Sequence, residues 1–286
     1  RKKSKILLIY QVDVVLTGRA EKVILATNPS LPRVGPSPDT SYKFAAQACA
    51  NFPAANQQRP IIIGFGPCGI LAALILAQMG LKPIVVERGQ EVRQRTQDTW
   101  GFWRKRNLNA ESNVQFGEGG AGTFSDGKLW SQVEDRRHLG RKVLNEFVIA
   151  GAPKEILTDS RPHIGTFKLV SMVENMRAEI IRLGGEIRFD QKVERVLRED
   201  GAENAKSQIT GISLSNGDTL YSRHIILAIG HSARDSFQML LDHGVYIEAK
   251  PFSIGYRIEH PQSTIDKARF GAQAGHPILG AAEYKL

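Results

Sequence analysis

The chain has 286 residues, 42% hydrophobic and 23% charged, with a formal charge of +9. That length holds two domains or one large domain with an insertion, and the balance is that of an ordinary globular protein. Two cysteines, Cys49 and Cys68, rule out a disulfide framework and a Cys-x-x-Cys redox pair, and no apolar run approaches the roughly 20 residues that cross a bilayer.

The basic start is followed by only a short apolar run over residues 6–10, so no signal peptide is expected, and a reducing compartment, most simply the cytoplasm, is. The first residue is not Met, which points to a piece of a longer chain. Residues 1–59 hold nine Lys or Arg against three acids, so most of the charge sits there. Such a module can bind nucleic acid or an acidic partner, or be a solvated face. With only Phe44 as a phenylalanine before residue 50 and no interleaving of basic and aromatic residues, nucleic acid is not favoured. Residues 6–16, ILLIYQVDVVL, read as a strand, and 22–26 as a second. Pro29, Pro32, Pro36 and Pro38 make 27–40 a linker, and 42–51 read as a short helix.

At residue 60 the pattern changes. Pro60-Ile61-Ile62-Ile63 is a buried-strand run that ends in Gly64-x-Gly66-x-x-Gly69. Leu71, Leu74 and Ile75 continue at helical spacing, Gly80 stops the helix, and Ile84-Val85-Val86 forms the next strand, closed by Glu87. Strand, glycine turn, helix, strand and acid is the dinucleotide fingerprint. Gly64 allows the turn, Gly66 admits a pyrophosphate, and Gly69 lets helix and strand pack. Glu87 lies 18 residues after Gly69, where a carboxylate can accept from ribose hydroxyls. A plain βαβ crossover without ligand has the same pattern and stays open. Cys68, at the helix start, reads as a packing residue.

Residues 91–105 read as a polar helix. The stretch 117–128 has five glycines, a sign that backbone approaches a ligand or takes positive φ. Thr123, Ser125 and Asp126 can hydrogen-bond a cofactor there, and Lys128 can stabilise a negative flavin. Helices are expected over 136–150 and 167–183, then an insertion of short strands at 186–189, 192–198, 208–214 and 219–220. Asn216-Gly217 signals a hairpin between the last two. A buried strand over 223–229 ends in Ala228-Ile229-Gly230, a helix follows over 233–243 with Ser232 as its cap, and a late strand is expected at 254–258.

The fingerprint does not separate FAD from NAD. Glu87-Arg88-Gly89, the Ala228-Ile229-Gly230 return about 160 residues on, and the glycine loop with an inserted sheet between them favour FAD.

These segments together resemble a family of bacterial FAD-dependent dehydrogenases, often described as NAD(FAD)-utilising dehydrogenases. The resemblance rests on RPIIIGFGPCGILAALILAQMGLKPIVVERG, LNAESNVQFGEGGAGTFSDGKL, EFVIAGAPKEIL, RPHIGTFKL, IILAIGHSARDSFQMLL, KPFSIGYRIEHPQ and AGHPILGAAEYKL, almost continuously from residue 59. It implies an α/β fold: a Rossmann-like FAD-binding domain with a parallel sheet (59–135 and 221–245), an inserted helical and β-rich substrate-type region (136–220 and 246–286), and part of a small α+β N-terminal domain with its linker (1–58). It implies that Gly64, Gly66, Pro67, Cys68, Gly69, Glu87, Arg88, Val193 and Gly230 contact or shape the FAD site. It sets Gly119, Gly120, Ala121, Gly122, Thr123, Ser125, Asp126 and Lys128 near the flavin. The family runs on past residue 286, so weakened FAD binding is expected of this stretch alone.

The expected function is an FAD-dependent oxidoreductase transferring hydride or electrons to or from an unidentified small molecule through non-covalent flavin. NADH or NADPH is the natural reductant to test, although no second Gly-x-Gly-x-x-Gly follows. His231 and Lys128 are the catalytic candidates. His163, His260 and His276 read as structural, and no metal-ligand spacing occurs. The alternative is a flavoprotein-like scaffold that binds RNA or an acidic partner through its basic N-terminal region.

Overall fold

Three consecutive isoleucines form β1 (Ile61–Ile63), and all three are buried. β-branched side chains suit a strand covered on both faces, and their alternation sends Ile62 one way and its neighbours the other. In this computed structural model β1 pairs in parallel with β2 (Ile84–Val86) and with β7 (Ile225–Leu227). β3 (Glu186–Arg188) pairs in parallel outside β2, so the sheet order is β3-β2-β1-β7. The structure describes residues 6–17, 21–27, 34–130, 133–199, 207–251, 254–256 and 258–282.

One compact unit spans residues 39–247. On one face of its parallel sheet, Ile62 and Val85 pack with Ile70, Ala73 and Leu74 of α2 (Pro67–Gln78) and with Met172, Met176 and Ile180 of α5 (Thr166–Arg182). On the other face, Ile61, Ile63 and Val86 meet Val193, Ile212 and Leu214. Those last three belong to an antiparallel sheet of β4 (Val193–Glu199), β5 (Gln208–Leu214) and β6 (Thr219–Tyr221). The result is helices, parallel sheet and antiparallel sheet in three layers, an α/β fold with the inserted sheet that the sequence predicts. The Asn216-Gly217 hairpin forms, with Gly217 at φ 90° and the Leu214 N–H donating to Asp218 O at 2.9 Å.

α3 (Val92–Lys105), α4 (Leu139–Ile149) and α6 (Arg234–Asp242) lie where periodicity predicts helices. Other expectations need correction. Glu186–Arg188 is not part of the inserted sheet: it is the fourth parallel strand, and Arg59 Nη1 donates to Glu186 Oε2 at 2.8 Å beside it. Residues 42–51 are not a helix. The Ala48 N–H and Gln47 Nε2 there donate to Met79 O and Gln78 O at the end of α2, so the unpaired carbonyls of one helix draw the segment out of another. Ser232 is not a helix cap: Ala233 holds that place, and the Ser232 hydroxyl donates to Gln115 Oε1 at 2.8 Å.

The second unit is formed by residues 1–38 and 248–286. Within its described residues, 6–16 is not a strand and 254–258 is not one either. Val15, Ile254 and Tyr256 are more than nine-tenths exposed, and among the described residues no strand pairs with them to bury an alternating face. The strand expected at 22–26 is instead α1 (Glu21–Thr27), and α7 (Gln262–Phe270) follows the expected late strand. The Arg1-Lys2-Lys3 run, Pro29, Pro32 and Arg257 lie outside the described residues.

Candidate functional site

A cavity of about 590 Å³ opens in the 39–247 unit. Ile63, Val86 and Leu227, the last residues of β1, β2 and β7, line it. It therefore lies at the carboxyl ends of parallel strands, where the chain runs from β1 to β2 and β3 on one side and returns to β7 on the other. Open α/β sheets bind ligands at such a switch point, and the volume is that of a cofactor pocket, roughly 300–1,000 Å³.

Of the residues singled out in the sequence, Gly64, Gly66, Pro67, Cys68, Glu87, Arg88, Gly120, Ala121, Gly122, Val193, Gly230 and His231 line the cavity. The first glycine turn is shaped by its protein neighbours. A Cβ on Gly69 would stand 1.9 Å from Gly64 O, so α2 packs on the turn only without a side chain there. A Cβ on Gly64 would meet Ala228 O at 2.5 Å, because the Ala228–Gly230 return runs alongside. Cys68 does not pack in the interior: its side chain is exposed, and it lines the cavity at the start of α2.

Glu87 is buried and its carboxylate clasps three turns together. Oε2 accepts from Phe65 N at 2.7 Å, and Oε1 from Gly89 N at 2.9 Å and Gly117 N at 3.0 Å. A carboxylate has about four acceptor positions, so one on Oε2 is left over.

The glycine loop 117–128 divides in two. Gly117, Gly120, Ala121 and Gly122 line the cavity. Beyond Gly122 and its two chain neighbours no atom lies within 4 Å of where a Gly122 Cβ would stand, so the wall here is backbone facing open space, a cradle a ligand can fill. Gly119, Thr123, Ser125, Asp126 and Lys128 do not line it. Thr123 is buried beneath the loop, and Ser125 Oγ donates to Gly122 O at 2.6 Å while accepting from Gly127 N at 3.0 Å. Lys128 is exposed, with its ammonium 3.7 Å from Asp126.

The loop is anchored by a residue that motif reading passes over. Arg95 is fully buried in α3. Its guanidinium donates to Asn113 O (2.8 Å), Val114 O (2.8 Å), Glu118 O (2.7 Å) and Thr123 Oγ1 (3.2 Å), and lies 4.9 Å from the Phe124 ring centroid. Gly117 has no Cβ because one would fall 2.4 Å from Arg95 Cδ. Burial pushes the Arg95 pKa down to about 10 against the charges of Glu87 and Glu118. The sequence signal was its place on one helical face with Val92 and Thr99, the other buried residues of α3. Glu118, also buried, accepts from Val92 N at 2.7 Å, and its second oxygen stands 3.3 Å from Arg177 Nε without hydrogen-bond alignment. Burial pushes its pKa up to about 6.

Arg88 closes one end. Its Nε donates to Glu111 at 2.5 Å, its two Nη atoms to Asp235 at 2.9 Å each, and it lies 4.2 Å from the Phe116 ring centroid. Lys192, also on the wall, reaches Asp235 at 2.6 Å. Burial works against the Arg88 charge, but the bonds from Glu111 and Asp235 outweigh it and raise the pKa; the Arg88 bond and then that of Lys192 hold Asp235 well below the usual carboxylate range.

The fold is of the Rossmann type, with the cavity at the carboxyl ends of its parallel strands. Residues 251–286 match the family described as FAD-dependent protein, C-terminal domain-like. An uncharacterized protein of Clostridium beijerinckii is 49% identical over 228 residues, 80% of this chain and 41% of that protein, so the chain spans less than half of that relative's length. Among solved structures, Thermovibrio ammonificans THI4 is 17% identical, covering 66% of this chain and 64% of its own, with a TM-score of 0.45. The L-proline dehydrogenase from P. horikoshii is 14% identical, covering 67% and 57%, with a TM-score of 0.36. The resemblance drawn from the motifs is borne out, with residues 251–286 similar to FAD-dependent proteins. Among the described residues no helix is long and apolar enough to cross a membrane, and no group of His, Cys, Asp and Glu could hold a metal ion.

Proposed function

We propose that this chain carries the nucleotide-binding part of an FAD-dependent oxidoreductase. The observation that supports the reading is the cavity at the strand ends, bounded by a glycine turn, a helix start and a buried carboxylate. In it, the free N–H groups at the start of α2 face the diphosphate, and Gly66 lets it approach. The remaining acceptor position on Glu87 takes a ribose hydroxyl. Val193 borders the adenosine end, and Gly120, Ala121, Gly122 and Gly230 border the path toward the ring. Gly119, Thr123, Ser125 and Asp126 act by shaping the loop.

A bound flavin supplies hydride or electron transfer itself, and the protein positions and tunes it. His231 is the imidazole on the lining and the residue to hold or pass a proton. The substrate is a small molecule, with NADH or NADPH as the electron donor to test.

The test is FAD uptake, read as flavin absorbance after free FAD is removed, with titration for the Kd. The protein is expected to take up added FAD, and Gly66→Asp to bind it at least about 30-fold more weakly because a carboxylate enters the diphosphate path. A colourless protein that takes up no added FAD refutes the reading for this chain.

A further inference from the structure

An arginine directly after the acid at the end of the second strand is ambiguous in sequence. In nicotinamide dinucleotide sites the acid binds the ribose 2′-hydroxyl, while an arginine nearby accommodates a 2′-phosphate. Glu87-Arg88 offers both.

The geometry separates them. Arg88 and Lys192 are the two cations on the cavity wall, yet neither is free. Asp235 takes Arg88 through two parallel bonds of 2.9 Å and Lys192 at 2.6 Å. Glu111 takes Arg88 Nε at 2.5 Å and lies 3.9 Å from Lys192. The stacked Phe116 ring covers a face of the guanidinium. Neither Glu111 nor Asp235 is among the cavity-lining residues: each neutralises a wall cation from outside the lining. With Glu87 also on the wall, this corner holds two cations against three carboxylates. A phosphate monoester carrying about −1.5 to −2 charge meets no net positive charge there and must break a paired cation to gain one.

We propose that Glu111 and Asp235 are specificity-determining residues: by locking Arg88 and Lys192 they close this cavity to 2′-phosphorylated adenine nucleotides and keep it for those with a free ribose diol. The inference rests on the cavity being a nucleotide site and names which nucleotides it takes.

The probes are ADP-ribose and its 2′-phosphate, which differ only in the group at issue, titrated calorimetrically at one ionic strength. FAD is titrated in parallel. The protein is expected to bind ADP-ribose at least about 30-fold more tightly than the phosphate. In Glu111→Gln/Asp235→Asn, which keeps shape and removes two negative charges, the ratio is expected to fall about tenfold or more, through tighter binding of the phosphate. The ratio is taken within each protein, so a change in folded fraction cancels. The single variants serve if the double one does not fold. Equal affinity of the unaltered protein for both probes, or an unchanged ratio in every folded variant, overturns the inference while ADP-ribose binding upholds the nucleotide site. Failure of the unaltered protein to bind ADP-ribose and FAD overturns both.

Discussion

The two glycine-rich segments meet at one cavity but are made rigid in different ways. The turn Gly64 to Gly69 is fixed by crowding: backbone lies against backbone, and a Gly69 Cβ would sit 1.9 Å from an oxygen. The loop from Gly117 is fixed by tension, through a buried guanidinium holding three carbonyls and a hydroxyl. The first is a local design written in consecutive residues. The second depends on a side chain 22 positions before Gly117 on another element. Glycine content alone therefore reports closeness of chain, and not which atoms face the ligand.

The largest effect is expected from cutting the loop's anchor. Arg95→Met fills the space but leaves several buried acceptors without donors, which costs about 3–5 kcal/mol. Urea unfolding measures it, and Arg95→Lys should recover part because an ammonium reaches some of the same oxygens. A loss below about 1 kcal/mol in Arg95→Met would mean that the loop holds itself, and the contrast between the two segments would fail.

Gly69→Ala tests the crowded turn. Alanine is the better helix former by about 1 kcal/mol, so any net loss understates the steric clash by about that amount. A net loss of about 3 kcal/mol is expected as α2 is pushed off β1, with FAD affinity reduced in the same protein. Unchanged stability would show that the helix can shift without cost.

The first segment was legible because strand, turn, helix and acid follow one another within 30 residues. So were the inserted sheet, through its hairpin signal, and the return at Ala228–Gly230. Arg95 was hidden because three of its four hydrogen-bond partners are backbone carbonyls, which have no residue type. Glu111, Lys192 and Asp235 were missed for another reason: ion pairs join residues as far apart as Arg88 and Asp235, and charge patterning along a chain does not record them. The strands expected at 6–16 and 254–258 do not form in their described residues, where no partner strand is paired with them and β-branched composition alone is not enough.

Glu118 links the loop to pH. Its carboxyl has a pKa of about 6 when folded against 4.5 as the reference value, because burial disfavours the charge. The folded state thus holds the proton more tightly, so this group's contribution is fully present below about pH 4.5 and is lost as pH rises through about 6. The difference corresponds to about 2 kcal/mol. Glu118→Gln, which cannot ionise, should therefore gain stability relative to the unaltered protein by about that amount between about pH 4.5 and 7.5. Urea midpoints across that range measure it; parallel curves for the two proteins would mean that Arg177 compensates the charge fully.

The smallest effect sharpens where the loop stops facing the cavity. Lys128 belongs by sequence to the segment set near the flavin, but its side chain is 77% exposed and it does not line the cavity. Its partner Asp126 is 3.7 Å away and also exposed, a pair of the kind that contributes at most about 1 kcal/mol. Lys128→Ala should change stability by no more than about 0.5 kcal/mol and FAD affinity by less than about twofold. Gly122→Asp, only six residues earlier but on the wall, should cost FAD affinity tenfold or more, at about 1.4 kcal/mol per tenfold. If Lys128→Ala instead weakens FAD as much as Gly122→Asp does, the ligand reaches past the cavity and the whole loop, not its first half, is the cofactor wall.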